Sequence, residues 1–505
     1  MASLPFLRSA LCTFLGFVGL VEASGAPQAS DCDSPRAVEL LQLDSALQFR
    51  GQTELFSVNS AQSRLPDCKR EFGPFGHGHT RIQNSTSTAS SSYWYSVRGV
   101  DAGRSGYCPG AVGPFPLPAP AWSLEVPGLN FHQTPVIDDL LNIYTTSDSG
   151  TILSFSKDGQ KRWEFQPKSI RCQNPSLFDG KLYTACANGQ VVVLRMDTGE
   201  EVWSRQVFDG LPTDAYTVSA TEDFLVIPMA DTGLDFGGAW GVALLDRADG
   251  RLRWSYNVST MAPKSYVINL DPCILNESII LSDTSGGVYR LSVQDGSEIW
   301  RVPGLDEGTF TLGGVACAGD MVFNGYSRAD GSGGLRALSI DSGSLAWNRA
   351  FPKVVHNAPA IGQIHNHPSP AVIVGMGEPP GRPWPLPANI TGKVVAVDAV
   401  SNEVIWTFEP PPWHHWGAAG STFEQLCFPD LFSAATIDAD GTVYINWSAA
   451  GITYALRDAN ADGIISLQDP REVSAADLGS AATGPPALAP GMIFVNTCRR
   501  PSAFF

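Results

Sequence analysis

Apolar and polar residues alternate along this chain in a recurring arrangement. Six segments share it: GTILSFSKDGQKRW, GQVVVLRMDTGEEVW, GVALLDRADGRLRW, GVYRLSVQDGSEIW, GLRALSIDSGSLAW and GKVVAVDAVSNEVIW. Each opens on a glycine and runs through alternating apolar positions, as a half-buried strand requires. A polar turn follows, then a short strand that ends in tryptophan. Four residues before the tryptophan stand Gly159, Gly199, Gly250, Gly296 and Gly343, with Asn402 in the sixth copy. Gly and Asn accept positive φ cheaply, which tight hairpins demand.

The tryptophans themselves, Trp163, Trp203, Trp254, Trp300, Trp347 and Trp406, are 40, 51, 46, 47 and 59 residues apart. A further strand pair precedes each hairpin, as in NPSLFDGKLYTAC. Units of 40–50 residues with four strands each predict an all-β fold, a β-propeller whose tryptophans pack between neighbouring blades. A seventh unit runs from about Phe432 to Val473. Trp122, in PAWSLEV, reads as an outer strand without its predecessors, and GPPALAPGMIFVNTC as the opening of an unfinished blade. Joined, the two fragments make an eighth blade shared by N- and C-terminal strands; seven blades with irregular ends is the alternative.

These repeats resemble the PQQ-like repeats of the quinoprotein alcohol dehydrogenase-like superfamily, whose blade signature is Ala-x-Asp-x-x-Thr-Gly-x-x-x-Trp. Ala396, Asp398, Ser401, Asn402 and Trp406 follow it, as do Leu244, Asp246, Asp249, Gly250 and Trp254, and Thr198, Gly199 and Trp203 carry its second half. The resemblance runs from Tyr93 onward and implies an eight-bladed ring. It also implies two kinds of function. Some members are PQQ-dependent dehydrogenases, with an adjacent Cys-Cys disulfide against the quinone, a calcium ion beside it and an Asp base; others are rings without a quinone, including assembly scaffolds. No adjacent Cys-Cys pair occurs in this chain. The leading expectation is therefore a non-catalytic binding or interaction module for a protein, peptide or glycan. The alternative is a PQQ-dependent dehydrogenase acting on alcohols or sugars.

Composition adds a compartment. Residues 1–25 carry Arg8, an apolar stretch from about Ser9 to Val21 and small residues around Ala23, the pattern of a secretory signal peptide. Residues 26–92 read as an N-terminal extension, with a short amphipathic helix in RAVELLQLDSALQF and a Ser/Thr-rich linker at 84–92; residues 93–505 are the propeller. No later run of about twenty apolar residues follows, so the mature chain is expected to lack a transmembrane segment. Sequons at Asn84, Asn257, Asn276, Asn389 and Asn446 agree with secretion. Nine cysteines remain after the signal, without any CxxC, which favours disulfides over redox or zinc chemistry. A formal net charge of −17 excludes a nucleic-acid binder. His77 and His79, between glycines, read as solvated loop residues.

Two places carry candidate chemistry. Asp458, Asn460, Asp462, Ile464, Ser466 and Asp469 fit the spacing of a twelve-residue EF-hand loop, with Gly463 at its sharp turn. Alternate oxygens can converge there on one hard cation, so a structural Ca2+ is expected; Asp438-Ala-Asp440-Gly441 offers too few oxygens for another. The motif replaces the last hairpin of blade seven. The second place is a set of long insertions, 230–240, 376–391 and 409–428, which topology puts together on the opposite face. Trp413, His414, His415, Trp416 and Glu424 make 409–428 the richest of them and the expected ligand site. His365 and His367 fall in a turn between first and second strands and read as solvent-facing.

Overall fold

A computed structural model describes residues 93–505, apart from 125–128, 169–170, 212–215, 230–240, 259–270, 276, 307, 312, 356, 378–387, 423–426 and 428. The expected signal peptide, extension, helix, linker and His77/His79 pair lie outside the described residues, as do the sequons at Asn84 and Asn276.

The ring has eight blades, so the seven-bladed alternative falls. Blade 1 is Val136–Ile137, Ile143–Thr146, Ile152–Phe155 and Lys161–Phe165, an antiparallel meander from the axis outward. Blades 2 to 6 repeat it and end in the outer strands Glu201–Gln206, Leu252–Asn257, Glu298–Val302, Leu345–Phe351 and Val404–Phe408. Blade 7 is Thr436–Ile437, Val443–Trp447, Ile452–Leu456 and Val473–Asp477. Blade 8 takes Ala487–Ala489, Met492–Asn496 and Pro501–Phe504 from the end of the chain and Trp122–Ser123 from its beginning, with Trp122 opposite Ala503 and Ser123 opposite Ser502.

The middle strands are more apolar than simple alternation anticipates. Val191, Val192, Val193 and Leu194 run consecutively and are all buried. A blade is packed on both faces by its neighbours, so both sides of its inner strands need apolar residues. The outer strands face solvent, as Glu201–Gln206 does, with no fully buried residue.

The hairpin between third and fourth strands is built alike in blades 1 to 6. The register slips at Ser154/Phe155, Val193/Leu194, Leu244/Leu245, Arg290/Leu291, Ala337/Leu338 and Ala396/Val397. Beside each slip sits the turn residue with positive φ, from Gly343 at 69° to Gly159 at 80° and Asn402 at 63°. This is a bulged hairpin closed by a left-handed residue. The same residue is where the preceding blade docks. The indole of Trp163 bonds Met196 O at 2.9 Å, Trp254 bonds Val293 O at 2.8 Å, Trp300 bonds Ile340 O at 2.8 Å and Trp347 bonds Ala399 O at 2.9 Å. Trp122 bonds Lys157 O at 2.6 Å, so the closing blade docks by the same rule.

Residues 95–108 thread one end of the channel and bond the innermost strands in turn. Ile137 N–H donates to Tyr95 O at 2.9 Å and Leu177 N–H to Ser96 O at 2.8 Å. Ile274 N–H donates to Ala102 O at 2.8 Å, Cys317 N–H to Gly103 O at 2.7 Å, Ile361 N–H to Ser105 O at 2.6 Å and Ile437 N–H to Gly106 O at 2.8 Å. Arg104 reaches Ser219 Oγ of blade 3. Gly106 allows the approach: a Cβ there would lie 2.8 Å from Ala360 Cβ and 2.9 Å from Ala435 O. Within the plug Arg98 pairs with Asp271 at 3.2 Å, Thr217 Oγ1 donates to Asp271 at 2.6 Å, and buried Arg104 donates to the carbonyls of Pro272 and Arg98.

Candidate functional site

The plug bonds the innermost strands where they lead into their first turns, at Ile137 before Asp138 and at Ile437 before Asp438. That end of the channel is closed by the chain itself. The other face carries the blade-to-blade links and the turns between second and third strands, where the long insertions fall. Of these, 230–240 and 378–387 lie outside the described residues, as does Glu424.

The other four expected ligand residues are brought together. Trp413–His415 forms a two-stranded ribbon with Ala388–Ile390, pairing Asn389 with His414. The Trp413 and His415 rings are 5.6 Å apart and His415 and Trp416 are 5.6 Å apart, a three-ring ladder. Trp413 Nε1 donates to Gly417 O at 2.9 Å, and Gly417 N–H donates to His415 Nδ1 at 3.2 Å, which holds the His415 ring in place. Both histidines are exposed and both tryptophans half-buried. An apolar body with exposed polar edges suits a sugar face or a peptide.

The link then runs to Cys427, which is disulfide-bonded to Cys498 in the turn between the second and third strands of blade 8. Beside it lies a shallow surface depression lined by Asn130, His132, Ser421, Ser480 and Arg499 among others. His132 Nε2 lies 3.0 Å from Asp148 and its Nδ1 is 3.7 Å from Cys498 Sγ. His132, Cys427 and Cys498 have ligand atoms within 4.8 Å of one another, but both sulfurs are held in the disulfide and offer no thiolate to a metal. Sequence reading missed this corner, because His132 and Cys498 are 366 residues apart and no local pattern joins them. Two further disulfides among the described residues are Cys172–Cys186 within blade 2 and Cys273–Cys317, which joins the inner strands of blades 4 and 5. Cys108 is also disulfide-bonded.

The expected cation loop connects the third and fourth strands of blade 7, on the face opposite the ladder. Asp458 is buried and accepts Gly463 N–H at 3.2 Å. Asn460 Nδ2 donates to Asp462 Oδ2 at 3.0 Å, and Asp462 Oδ1 accepts Ile464 N–H at 2.8 Å. Ser466 Oγ bonds Gln468, and Asp469 turns to Arg471, accepting its backbone N–H at 2.9 Å and its guanidinium. That contact holds the Asp469 carboxyl low, at about 2. Asp438 is fully engaged by Gly113 N–H, Thr442 N–H and Tyr444 OH, and is a turn-former. The two turn histidines are half-buried: His367 pairs with Asp398 at 2.9 Å, and His365 Nδ1 lies 3.3 Å from Asp440 O. The sequon residue Asn446 is fully buried, whereas Asn389 is exposed.

Two buried polar groups near the plug are engaged by neighbouring residues. Asp271 is taken by Arg98 and Thr217, and Asn174 by Thr134 N–H at 2.6 Å and Tyr216 O at 2.9 Å. Other buried polar atoms, among them Gln133 Oε1, Asn324 Nδ2 and Asn496 Oδ1, have no hydrogen-bond partner.

A family model described as outer membrane protein assembly factor BamB matches residues 119–300 and 236–375, more than half of the chain together. Quinoprotein alcohol dehydrogenase PedH of Pseudomonas putida is 23% identical over 328 residues, 61% of this chain. The chain spans 50% of that relative's length. Outer membrane protein assembly factor BamB of Salmonella typhimurium is 33% identical over 101 residues, 19% of this chain and 24% of its own. Quinohemoprotein alcohol dehydrogenase from Comamonas testosteroni superposes with a TM-score of 0.59 at 13% identity, covering 84% of this chain and 82% of that one. No helix among the described residues is long and apolar enough to cross a membrane. The repeated hairpin, the eight-bladed closure and the family match lead to one assignment: the chain belongs to the PQQ-like repeat β-propellers.

Proposed function

We propose that this chain is a secreted interaction module: a rigid ring, clipped by calcium at blade 7, that presents the 409–428 link to a protein, peptide or glycan ligand. The observation that carries this reading is the Trp413–His415–Trp416 ladder, displayed on a ribbon and anchored to blade 8 through Cys427–Cys498. A module needs a fixed platform with an accessible aromatic edge, and both are present. The BamB relative gives the same direction, since its name describes an assembly factor.

The dehydrogenase reading is the alternative, favoured by PedH and the quinohemoprotein neighbours. The lack of an adjacent Cys-Cys pair in the sequence weighs against it. Two assays separate the readings. The secreted protein is mixed with PQQ, calcium and a panel of alcohols and sugars, and dye reduction is followed; no turnover is expected. The same protein and Trp416→Ala are applied to glycan and peptide arrays, where binding is expected for the first and at least a tenfold loss for the second. Turnover with PQQ would overturn the module.

A further inference from the structure

Blade 7 departs from its neighbours at one place. In blades 1 to 6 the hairpin between third and fourth strands receives the indole of the preceding blade. In blade 7 this connection is the long segment 457–472, and there Ile464–Ile465 runs parallel to Thr407–Phe408 of blade 6. Thr407 N–H donates to Gly463 O at 3.1 Å, and Asn366 Nδ2 donates to Asp458 O at 3.1 Å. The segment therefore does the joining that an indole does elsewhere.

Two carboxylate oxygens inside this crossing are buried without a partner, Asp458 Oδ1 and Glu472 Oε1. Their sister oxygens fix both groups to the same loop: Asp458 Oδ2 accepts Gly463 N–H at 3.2 Å, and Glu472 Oε2 accepts Ser466 N–H at 2.9 Å. Glu472 has no solvent exposure. An ionised carboxylate oxygen buried without a donor or cation is costly. Asp469, which the spacing puts at the closing position, is instead engaged by Arg471. The donors around the crossing are all hard oxygens, which suits calcium and not zinc or copper.

We propose that Glu472, in place of Asp469, closes a calcium site opened by Asp458, and that the ion fastens blade 7 to blade 6 where the indole lock is missing. This rests on the calcium-clip reading above and deepens it. The carboxylates of Asp458, Asp462 and Glu472 are not gathered within 4.8 Å of one another in the structure. The ion draws Asn460 and Asp462 away from their mutual bond and onto itself. Sequence spacing hides Glu472 because it lies three residues past the twelve-residue window.

The test is calcium titration calorimetry on the full secreted protein, on Glu472→Gln and on Asp469→Asn, with thermal melts in calcium and in chelator. The wild type is expected to bind calcium and to melt higher with it. Asp469→Asn keeps its affinity within about threefold, and Glu472→Gln loses at least about tenfold, as expected for a removed ligand charge. Glu472→Gln also melts at or above the wild type in chelator, since it removes an unpaired buried charge. A merely structural Glu472 would lower the melt in both conditions with affinity unchanged, which overturns the assignment. Loss of binding in Asp469→Asn but not Glu472→Gln overturns it too, and leaves the clip standing. A wild type that neither binds calcium nor responds to chelator removes the clip itself.

Discussion

The indole of Trp163 occupies the space that a side chain at Gly199 would need: a Cβ built there comes within 2.6 Å of Trp163 Cδ2. Gly199 also has a φ of +74°. Gly180 has a similar φ of +70° but nothing within 4 Å of its Cβ position. The pair separates backbone strain from blade docking. Gly180→Ala is expected to cost roughly 1–2 kcal/mol through the left-handed conformation alone. Gly199→Ala carries that cost and about 1–3 kcal/mol more from overpacking against the indole. Urea melts of the two variants check this, and equal losses would mean that the indole yields freely.

These two demands on one glycine explain what the sequence could and could not reveal. The hairpin glycines were legible as turn residues because positive φ is a local property. Their second role, as the floor for the preceding blade's tryptophan, links Trp163 to Gly199 and Trp254 to Gly296, and it repeats often enough for the ring itself to be read. The plug was not legible. Residues 95–108 hold the channel by backbone bonds from a glycine-rich stretch without periodicity, and no side-chain pattern marks such contacts. The His132–Asp148 corner joins blades 1, 7 and 8, so spacing along the chain says nothing of it. Asp469 stands out in sequence by its place in a loop motif, whereas burial, which sequence does not show, marks Glu472.

Burial also sorts the glycosylation sequons. Asn446 Nδ2 donates to Gly484 O at 2.8 Å, and its Oδ1 accepts Thr453 Oγ1 at 2.7 Å. A glycan on that nitrogen cannot coexist with the folded blade. Asn389 is exposed on the ribbon beside His414. Expressed through a eukaryotic secretory pathway, the folded protein is expected to be unmodified at Asn446, with Asn389 open to modification. Peptide mapping by mass spectrometry reads both sites. An occupied Asn446 in folded material would contradict the packing of blade 7.

Acid sensitivity is expected at the sixth hairpin. Burial pushes the Asp398 carboxyl up, but Ser401 N–H, the His367 ring and Val400 N–H together hold it below the usual range. A carboxyl with a depressed folded value adds stability that is present above the unfolded value of about 3.9 and lost as pH falls through the folded one. Asp398→Asn should therefore melt lower than wild type at pH 7 and show a shallower decline below about pH 4. Melts from pH 7 to pH 3 measure the two slopes. Parallel slopes would show that other groups carry the acid limb.

Ring closure gives the sharpest loss. Pro501–Phe504 is the third strand of blade 8, paired on one side with Met492–Asn496 and on the other with Trp122–Ser123. Ala503 and Phe504 are fully buried, and Phe505 is 42% exposed. Deleting Phe505 alone should leave the melt within about 0.5 kcal/mol of wild type. Deleting 501–505 removes Phe504, worth about 1.5–3 kcal/mol by burial alone. It also strands Trp122 and exposes the edge of Met492–Asn496, whose five residues are all buried. An unpaired apolar edge is a template for association. The longer deletion is expected to aggregate or to melt well below the shorter one, read by size-exclusion chromatography and thermal melts. If both deletions behave as wild type, the terminal strands do not hold the ring shut.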